Sequence, residues 1–208
     1  MRRPDFIARQ GRCPSGLLGI IIGRIMAHQT AAENAAAVDL LGLQPTDHVL
    51  EVGFGHGRTI RAIAGHVPNG FVAGVDASTA MFRLAKRANR NAIARGLVEL
   101  QQGDSQSLPY ADRQFDKVLT VHTIYFWRDL LLHFSQLRRI LRQRGLLVLG
   151  FRPNDASTVA DFPAEVYTFR SVAEICRLLT EAGFSTADVT ESRSAGRPIT
   201  FIRAQPSA

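Results

Sequence analysis

Residues 49–57 read Val-Leu-Glu-Val-Gly-Phe-Gly-His-Gly, and this short run gives the clearest sign of the architecture. An apolar, strand-like segment ends at Glu51 and Val52, three glycines follow at alternate positions, and a helical pattern begins near Arg58. Glycines in such a turn let the chain bend sharply and let the backbone approach a ligand closely. The run therefore predicts a strand, a ligand-binding turn and a helix in succession.

Two acidic residues further along the chain indicate the kind of ligand. Asp76 closes the next strand-like segment, where a carboxylate can accept hydrogen bonds from both hydroxyls of a ribose. Asp104 follows the third such segment, where a carboxylate can accept a hydrogen bond from the amino group of an adenine. The glycine spacing is GxGxG, and Glu51 before it suits the ammonium group of a methionine moiety better than a pyrophosphate. We therefore expect S-adenosylmethionine (SAM), with an NAD(P)-dependent oxidoreductase as the least favoured alternative.

Strand-like and helical segments alternate through the rest of the chain. Continuous apolar runs lie at residues 47–52, 71–76, 97–102, 115–121 and 146–151, and helical patterns lie at residues 58–66, 79–95 and 130–142. This alternation is typical of βαβ units and of a parallel sheet buried on both faces. After a helix at 171–182, runs at 184–189 and 198–203 flank a turn containing Ala195 and Gly196. The prediction is an α/β fold with a Rossmann-like, doubly wound, mostly parallel seven-stranded sheet and an antiparallel C-terminal strand.

The first 45 residues precede this pattern and read as two helices, at residues 17–28 and 31–41. We expect one domain over residues 1–208, in which residues 1–45 form a helical lid or cap and residues 46–208 form the Rossmann-like core. A chain of this length can bury roughly 70% of its unfolded surface, so it needs no disulfide or structural metal to fold.

The chain resembles the class I SAM-dependent methyltransferases, particularly the small bacterial ubiquinone/menaquinone-biosynthesis type. Matching segments follow one another across residues 40 to 190: LEVGFGHG, AGVDAS, GDSQSLPYADRQFDKVLTVHTIYFW, LRRILRQRGLLVLGF and LLTEAGF. The resemblance implies methyl transfer from SAM to an acceptor, with release of S-adenosylhomocysteine (SAH). It implies a cofactor site made of Glu51, Gly53, Phe54, Gly55, Gly57, Asp76, Ala77, Met81, Asp104, Ser105 and His122.

The resemblance also assigns a part of the cofactor to each group of residues. Glu51 and the glycines would line the methionine end, and Asp76 would hold the ribose, with Ala77 and Met81 packed beside the ribose and adenine. Asp104 and Ser105 would contact the adenine edge. His122 would lie beneath the methionine, near the transferring methyl.

Three residues are candidates for a catalytic role, namely His122, His28 and, less directly, Tyr125. Transfer to an oxygen or a protonated amine requires removal of a proton, which a positioned histidine can assist. His28 would face the site only if the N-terminal helices fold over it as a lid that excludes water.

The expected acceptor is a small molecule, and the atom methylated (O, N, C or S) stays open. The segment VHTIYFW after the fourth strand lacks the [DN]PP[YF] motif of nucleic-acid amine methyltransferases. Neither Cys13 nor Cys176 stands where a pyrimidine-carbon methyltransferase needs its nucleophile. Asp112 and Asp116 lie at the wrong end of the fourth strand for a metal-dependent catechol-type enzyme, so no metal is expected. A nucleic-acid or protein acceptor and a non-catalytic SAM-binding protein remain as alternatives.

The net charge and the apolar segments limit the kinds of partner that we expect. The formal net charge of +7 raises the question of nucleic acid, but no aromatic residues interleave with the stripe of Arg83, Arg87 and Arg90, as a base-stacking surface requires. Nucleic-acid binding is therefore not favoured. The apolar run at residues 17–26 is too short to span a bilayer, so no membrane span is expected. Two cysteines without CxxC spacing fit a reducing compartment, and we expect a cytoplasmic protein.

Overall fold

Helices and strands alternate through the computed structural model, which describes residues 5–155, 159–194 and 197–207. The α-helices are α1 (Asp5–Arg12), α2 (Gly16–Gln29), α3 (Ala31–Leu41), α4 (Arg58–His66), α5 (Thr79–Ala88), α6 (Arg90–Ala94), α7 (Leu130–Ile140) and α8 (Val172–Glu181). The strands are β1 (His48–Val52), β2 (Phe71–Asp76), β3 (Val98–Gln102), β4 (Phe115–Val121), β5 (Leu141–Phe151), β6 (Phe184–Ser194) and β7 (Arg197–Pro206). A short 3₁₀ helix covers Ile124–Phe126.

These strands form a seven-stranded sheet in the order β3-β2-β1-β4-β5-β7-β6. Strands β1 to β5 pair in parallel, whereas β7 runs antiparallel to both of its neighbours, β5 and β6. The predicted fold class is therefore confirmed. The strand order reverses between β1 and β4, and ligands of open α/β sheets bind outside the carboxyl ends of the strands at such a switch point.

The central strands are covered on both faces, as their continuous apolar sequences predict. Val49 and Leu50 of β1 are fully buried in two different apolar clusters, one on each side of the sheet. Side-chain caps fix where several helices begin: Asp129 accepts from the backbone N–H of Leu132, and Ser171 accepts from that of Glu174. Each such cap contributes about 1 kcal/mol.

The structure differs from the predicted elements in a few places. The helix predicted at residues 79–95 is interrupted at Asn89, whose side-chain amide donates to the carbonyls of Gly57 (3.0 Å) and Ala85 (2.9 Å). Strand β5 begins five residues earlier than predicted, both hairpin strands are longer, and α1 was not foreseen. The predicted turn residues Ala195 and Gly196 lie outside the described residues.

Candidate active site

A cavity of about 440 Å³ lies at the carboxyl ends of β1, β2, β3 and β4. The N-terminal helices α1, α2 and α3 form its other side and contribute Gly11, Met26, Thr30 and Asn34, among others, to its lining. The Ser78 hydroxyl, just after β2, donates to the carbonyl of Pro14 at 2.5 Å and so ties the α1–α2 connection to the sheet. The cavity therefore lies between the sheet edge and the N-terminal helices.

Three carboxylates line one wall of the cavity, at the ends of three adjacent strands: Glu51 (β1), Asp76 (β2) and Asp104 (after β3). The Asp76 carboxylate accepts the backbone N–H groups of Gly55 and Ser78, both at 2.8 Å. Burial raises the pKa of Asp76, and these two hydrogen bonds oppose the rise. Asp76 thus links the end of β2 to the glycine turn after β1.

Glu51 is a buried acid with a raised pKa. Its side chain is 4% exposed, and its Oε2 atom has no hydrogen-bond partner among the described residues. Burial, and then the nearby charge of Asp76, raise the pKa of Glu51 to about 8, with a hydrogen bond from Thr59 opposing them. A buried acceptor without a donor is costly, so this oxygen is suited to a cationic group that enters the cavity.

The three glycines of the turn have positive φ angles, but they serve different ends. At Gly53 (φ +79°) an added Cβ would lie 2.2 Å from the methyl group of Thr123, whereas at Gly55 (φ +53°) it would meet nothing within 4 Å. Both residues line the cavity with Phe54, as expected.

Gly57, which was expected in the cofactor site, does not line the cavity. A Cβ there would lie 2.7 Å from the Cβ of Ala85, and its carbonyl accepts from Asn89. Gly57 therefore allows α4 to begin close against α5, which is a packing role, and its contact with the cofactor stays a prediction.

Ala77, Met81, Asp104 and Ser105, all of them expected cofactor residues, also line the cavity. The Ser105 hydroxyl lies 2.7 Å from His133 Nδ1. The imidazole of His133 stacks on Trp127 with ring centroids 4.4 Å apart. Burial lowers the pKa of His133, which favours the neutral ring.

His133 was missed at the sequence level, although a signal existed. His133 lies directly before the buried Phe134 and four positions before the buried Leu137 of the same helix. This spacing places it on the apolar face of α7. A histidine on such a face needs polar partners, and Ser105 supplies one.

His122, which directly follows β4, lines the cavity and adopts an unusual backbone conformation (φ +59°). Its ring is held on both sides: Nε2 contacts the Glu33 carboxylate, and Nδ1 lies 3.0 Å from the Tyr125 hydroxyl. The Tyr125 oxygen already accepts the backbone N–H of Arg152 at 2.5 Å, so its own O–H is available to His122 Nδ1. Glu33 and Tyr125 thus hold the two ring nitrogens of His122.

Glu33 of α3 connects the N-terminal helices to this cluster. Its side chain is 1% exposed and pairs with the Arg152 guanidinium at 2.5 Å. Burial tends to raise the pKa of Glu33, but the hydrogen bond with His122 and the charge of Arg152 contribute to a net lowering. Glu33 shares a face with the buried Ala37 and Leu41, at helical spacing, and this pattern could have identified it as a buried acid.

Of the three proposed catalytic residues, only His122 reaches the cavity wall. Tyr125 is buried behind it and touches it through the hydroxyl, and burial is the main cause that raises the pKa of Tyr125. His28 is exposed and lies outside the cavity, whereas Met26, Ala27 and Thr30 of the same region face it. The structure therefore does not bring His28 to the site.

Two further findings concern the whole described part of the chain. Within it, no group of three or more His, Cys, Asp or Glu side chains is arranged to hold a metal ion. No helix in these same residues is long and apolar enough to cross a membrane.

Comparison with known proteins agrees with this geometry. The family described as "Methyltransferase domain" matches residues 50–149. The uncharacterized methyltransferase YdaC of Bacillus subtilis (strain 168) is 31% identical over 137 residues, which cover 66% of this chain and 74% of YdaC. YrhH of the same organism is 29% identical over 117 residues, or 56% of this chain, and the chain spans 64% of its length.

A solved structure shares the fold at lower identity. A SAM-dependent methyltransferase from Aquifex aeolicus superimposes with a TM-score of 0.70 at 22% identity, over 84% of this chain and 89% of that one. The similarity in structure establishes the fold, and the similarity to YdaC, together with the matched domain, establishes the family. The chain belongs to the class I SAM-dependent methyltransferases.

Proposed function

We propose that this protein binds SAM along the wall formed by Glu51, Asp76 and Asp104 and methylates a small-molecule acceptor in the same cavity. The observation that carries the proposal is the row of three carboxylates at the ends of adjacent strands, facing one cavity of about 440 Å³. This volume lies within the range of small-molecule and cofactor sites. When bound, SAM supplies a methyl group that is already activated on a sulfonium.

Two features of the cavity fit the cofactor. The unpartnered Oε2 of Glu51 needs a donor, and the ammonium of the methionine moiety would supply one. The backbone at Gly55 borders open space that a Cβ would enter, so a ligand can approach the chain closely there. Glu51 would hold the methionine end and Asp76 the ribose hydroxyls. The remaining expected contacts, Ala77, Met81, Asp104 and Ser105, would lie along the ribose and adenine.

Several observations support a small acceptor over a macromolecule. Helices α1, α2 and α3 all line the cavity, so they restrict the approach of a large substrate and would exclude water from the reaction. A fatty-acid O-methyltransferase from Mycolicibacterium smegmatis is 31% identical over 151 residues, which cover 70% of this chain and 51% of that enzyme. We propose that residues 1–45 act as the lid of a single domain that spans residues 1–208.

The finer resemblance to the quinone-biosynthesis branch has weaker support. A demethylmenaquinone methyltransferase from Symbiobacterium thermophilum is 30% identical over 106 residues, half of this chain and 42% of that enzyme. We keep a quinone-like acceptor within the proposed class of small molecules, alongside carboxylic acids. A cytoplasmic location likewise stays a proposal.

Calorimetric titration with SAM, with NADH as the comparison ligand, tests the cofactor site. Gly55→Asp places a carboxylate in the open space beside the turn and should abolish SAM binding. Gly42→Asp is the matched control, because Gly42 has nearly the same φ (+58° against +53°) and equally open surroundings but lies outside the cavity. Asp76→Ala should weaken SAM binding by at least about tenfold, since it removes hydrogen bonds to a charged group.

Turnover then tests the function. Conversion of SAM to SAH in the presence of a panel of carboxylic acids, phenols and amines should identify an acceptor. Binding of NADH in place of SAM, or equal SAM affinity for Gly55→Asp and Gly42→Asp, would contradict the proposed site. SAM binding with no turnover on any small molecule would favour a macromolecular acceptor or a protein that binds SAM without catalysis.

A further inference from the structure

Exposed apolar side chains are concentrated at the N-terminus. Six large apolar side chains are exposed in the described part of the chain, and four of them lie on α1 and α2. Leu18, Ile21 and Ile25 are 47%, 56% and 52% exposed, and Phe6 of α1 is 58% exposed. The three residues of α2 are spaced i, i+3 and i+7, so they form one stripe along the helix, here called the apolar stripe.

The opposite face of α2 packs on the rest of the protein and lines the cavity. Gly23 packs so closely on Met81 that a Cβ would lie 2.9 Å from the Met81 methyl carbon, and Met26 and Ala27 line the cavity. The sequence of α2, GLLGIIIGRIMAHQ, is therefore apolar on both sides. A helix that is apolar all round is normally covered all round, and a contiguous exposed apolar surface marks an interaction site.

The charges around the stripe distinguish among possible partners. Arg9, Arg12 and Arg24 are exposed on the same two helices, whose sequences contain a single acid, Asp5. A second copy of the chain related by a two-fold axis would present the same basic surface and bring like charges together. An anionic surface would instead pair with these arginines.

We propose that α1 and α2 dock the protein on an anionic lipid surface. The apolar stripe and Phe6 enter the boundary between headgroups and acyl chains, and Arg9 and Arg24 face the anionic headgroups. Because the same helices border the cavity, docking brings its N-terminal side to the membrane surface. This inference is separate from the proposed acceptor, since it concerns the outer face of α2.

Co-sedimentation with vesicles tests the proposal. The whole protein should bind vesicles of phosphatidylcholine with phosphatidylglycerol much more than vesicles of phosphatidylcholine alone. The triple variant Leu18→Gln, Ile21→Gln, Ile25→Gln should lower the partition coefficient by more than about tenfold. Arg9→Gln and Arg24→Gln should each lower it about fivefold.

A control variant and a check of folding accompany this experiment. Leu132→Gln replaces an exposed leucine on α7, outside the stripe, and should leave vesicle binding unchanged. Circular dichroism and SAH titration verify that each variant folds. The proposal is overturned if the wild type ignores both vesicle types or binds them equally, or if the triple variant still binds. It is also overturned if the stripe holds together a dimer that does not bind vesicles.

Discussion

The substitution Glu51→Gln should abolish a proton release that accompanies cofactor binding. Glu51 is buried beside Asp76, and these surroundings raise its pKa to about 8, so the free protein holds this carboxyl mostly protonated at neutral pH. If Glu51 holds the ammonium of the methionine moiety, the bound form needs the carboxylate. Binding must then expel the proton, whereas Glu51→Gln has no proton to lose.

The size of the effect follows from the pKa. With a pKa of about 8, roughly nine-tenths of the molecules carry the proton at pH 7, so binding should release about 0.9 proton. For the same reason, the affinity should rise about tenfold per pH unit well below pH 8, about fivefold between pH 7 and pH 8, and level off at higher pH.

Calorimetry measures the proton directly. Titration of SAM at pH 7 in phosphate and in Tris, whose ionisation enthalpies differ, gives the number of protons released from the difference in apparent binding enthalpy. The wild type should release most of one proton and Glu51→Gln close to none, with weaker binding at pH 8. Equal proton release by the two proteins would refute the assignment of Glu51, because the proton would then come from another group.

Stability has the opposite pH dependence. The folded protein binds the Glu51 proton more tightly than the unfolded chain does, since its pKa is raised from 4.5 to about 8. The free energy of unfolding should therefore fall as pH rises through this interval. Urea unfolding at pH 5 and pH 8 should show the fall in the wild type and a smaller one in Glu51→Gln.

Two further predictions concern the glycines of the turn and the buried ion pair of Glu33. Gly57→Ala should lower the free energy of unfolding by about 2–4 kcal/mol, because its Cβ meets Ala85 at positive φ, yet the folded fraction should bind SAM normally. Gly55→Ala should cost about 1 kcal/mol in urea unfolding and instead weaken SAM binding in calorimetry. Glu33→Gln should cost about 3–5 kcal/mol by leaving Arg152 without its buried partner. The exposed pair Arg177–Glu181 is the control, and Glu181→Gln should cost less than about 1 kcal/mol.

The sequence contained most of the fold because the strands are apolar and bounded by clear turns. The predicted bounds of β2, β4, α3 and α4 coincide with the structure. The order of the strands in the sheet, by contrast, could not be predicted from the sequence. Nothing local in Arg197–Pro206 says that β7 inserts between β5 and β6, since strand pairing across the sheet depends on long-range packing.

The sequence predicts cavity-lining residues where a motif follows the end of one strand, but it does not predict contacts between segments that are distant along the chain. Ten of the eleven expected cofactor residues line the cavity, all except Gly57, whose packing against α5 depends on a contact across the fold. Arg152 could not be found from its neighbours, because its partner Glu33 lies 119 residues away. His28 is a candidate catalytic residue because it lies on α2, which borders the cavity. The orientation of α2 about its axis turns Met26 and Ala27 toward the cavity and leaves His28 outside it.

The contacts of His122 bear on which acceptors the protein can use. A general base needs a lone pair that faces the acceptor, but here Nδ1 lies 3.0 Å from the Tyr125 hydroxyl and Nε2 contacts the Glu33 carboxylate. Freeing the ring would leave Glu33 and Tyr125, both buried, with one partner fewer each. Acceptors that arrive already deprotonated, such as carboxylates, need no base and fit this arrangement directly. The catalytic role of His122 stays a prediction, and the structure favours a positioning role over proton removal.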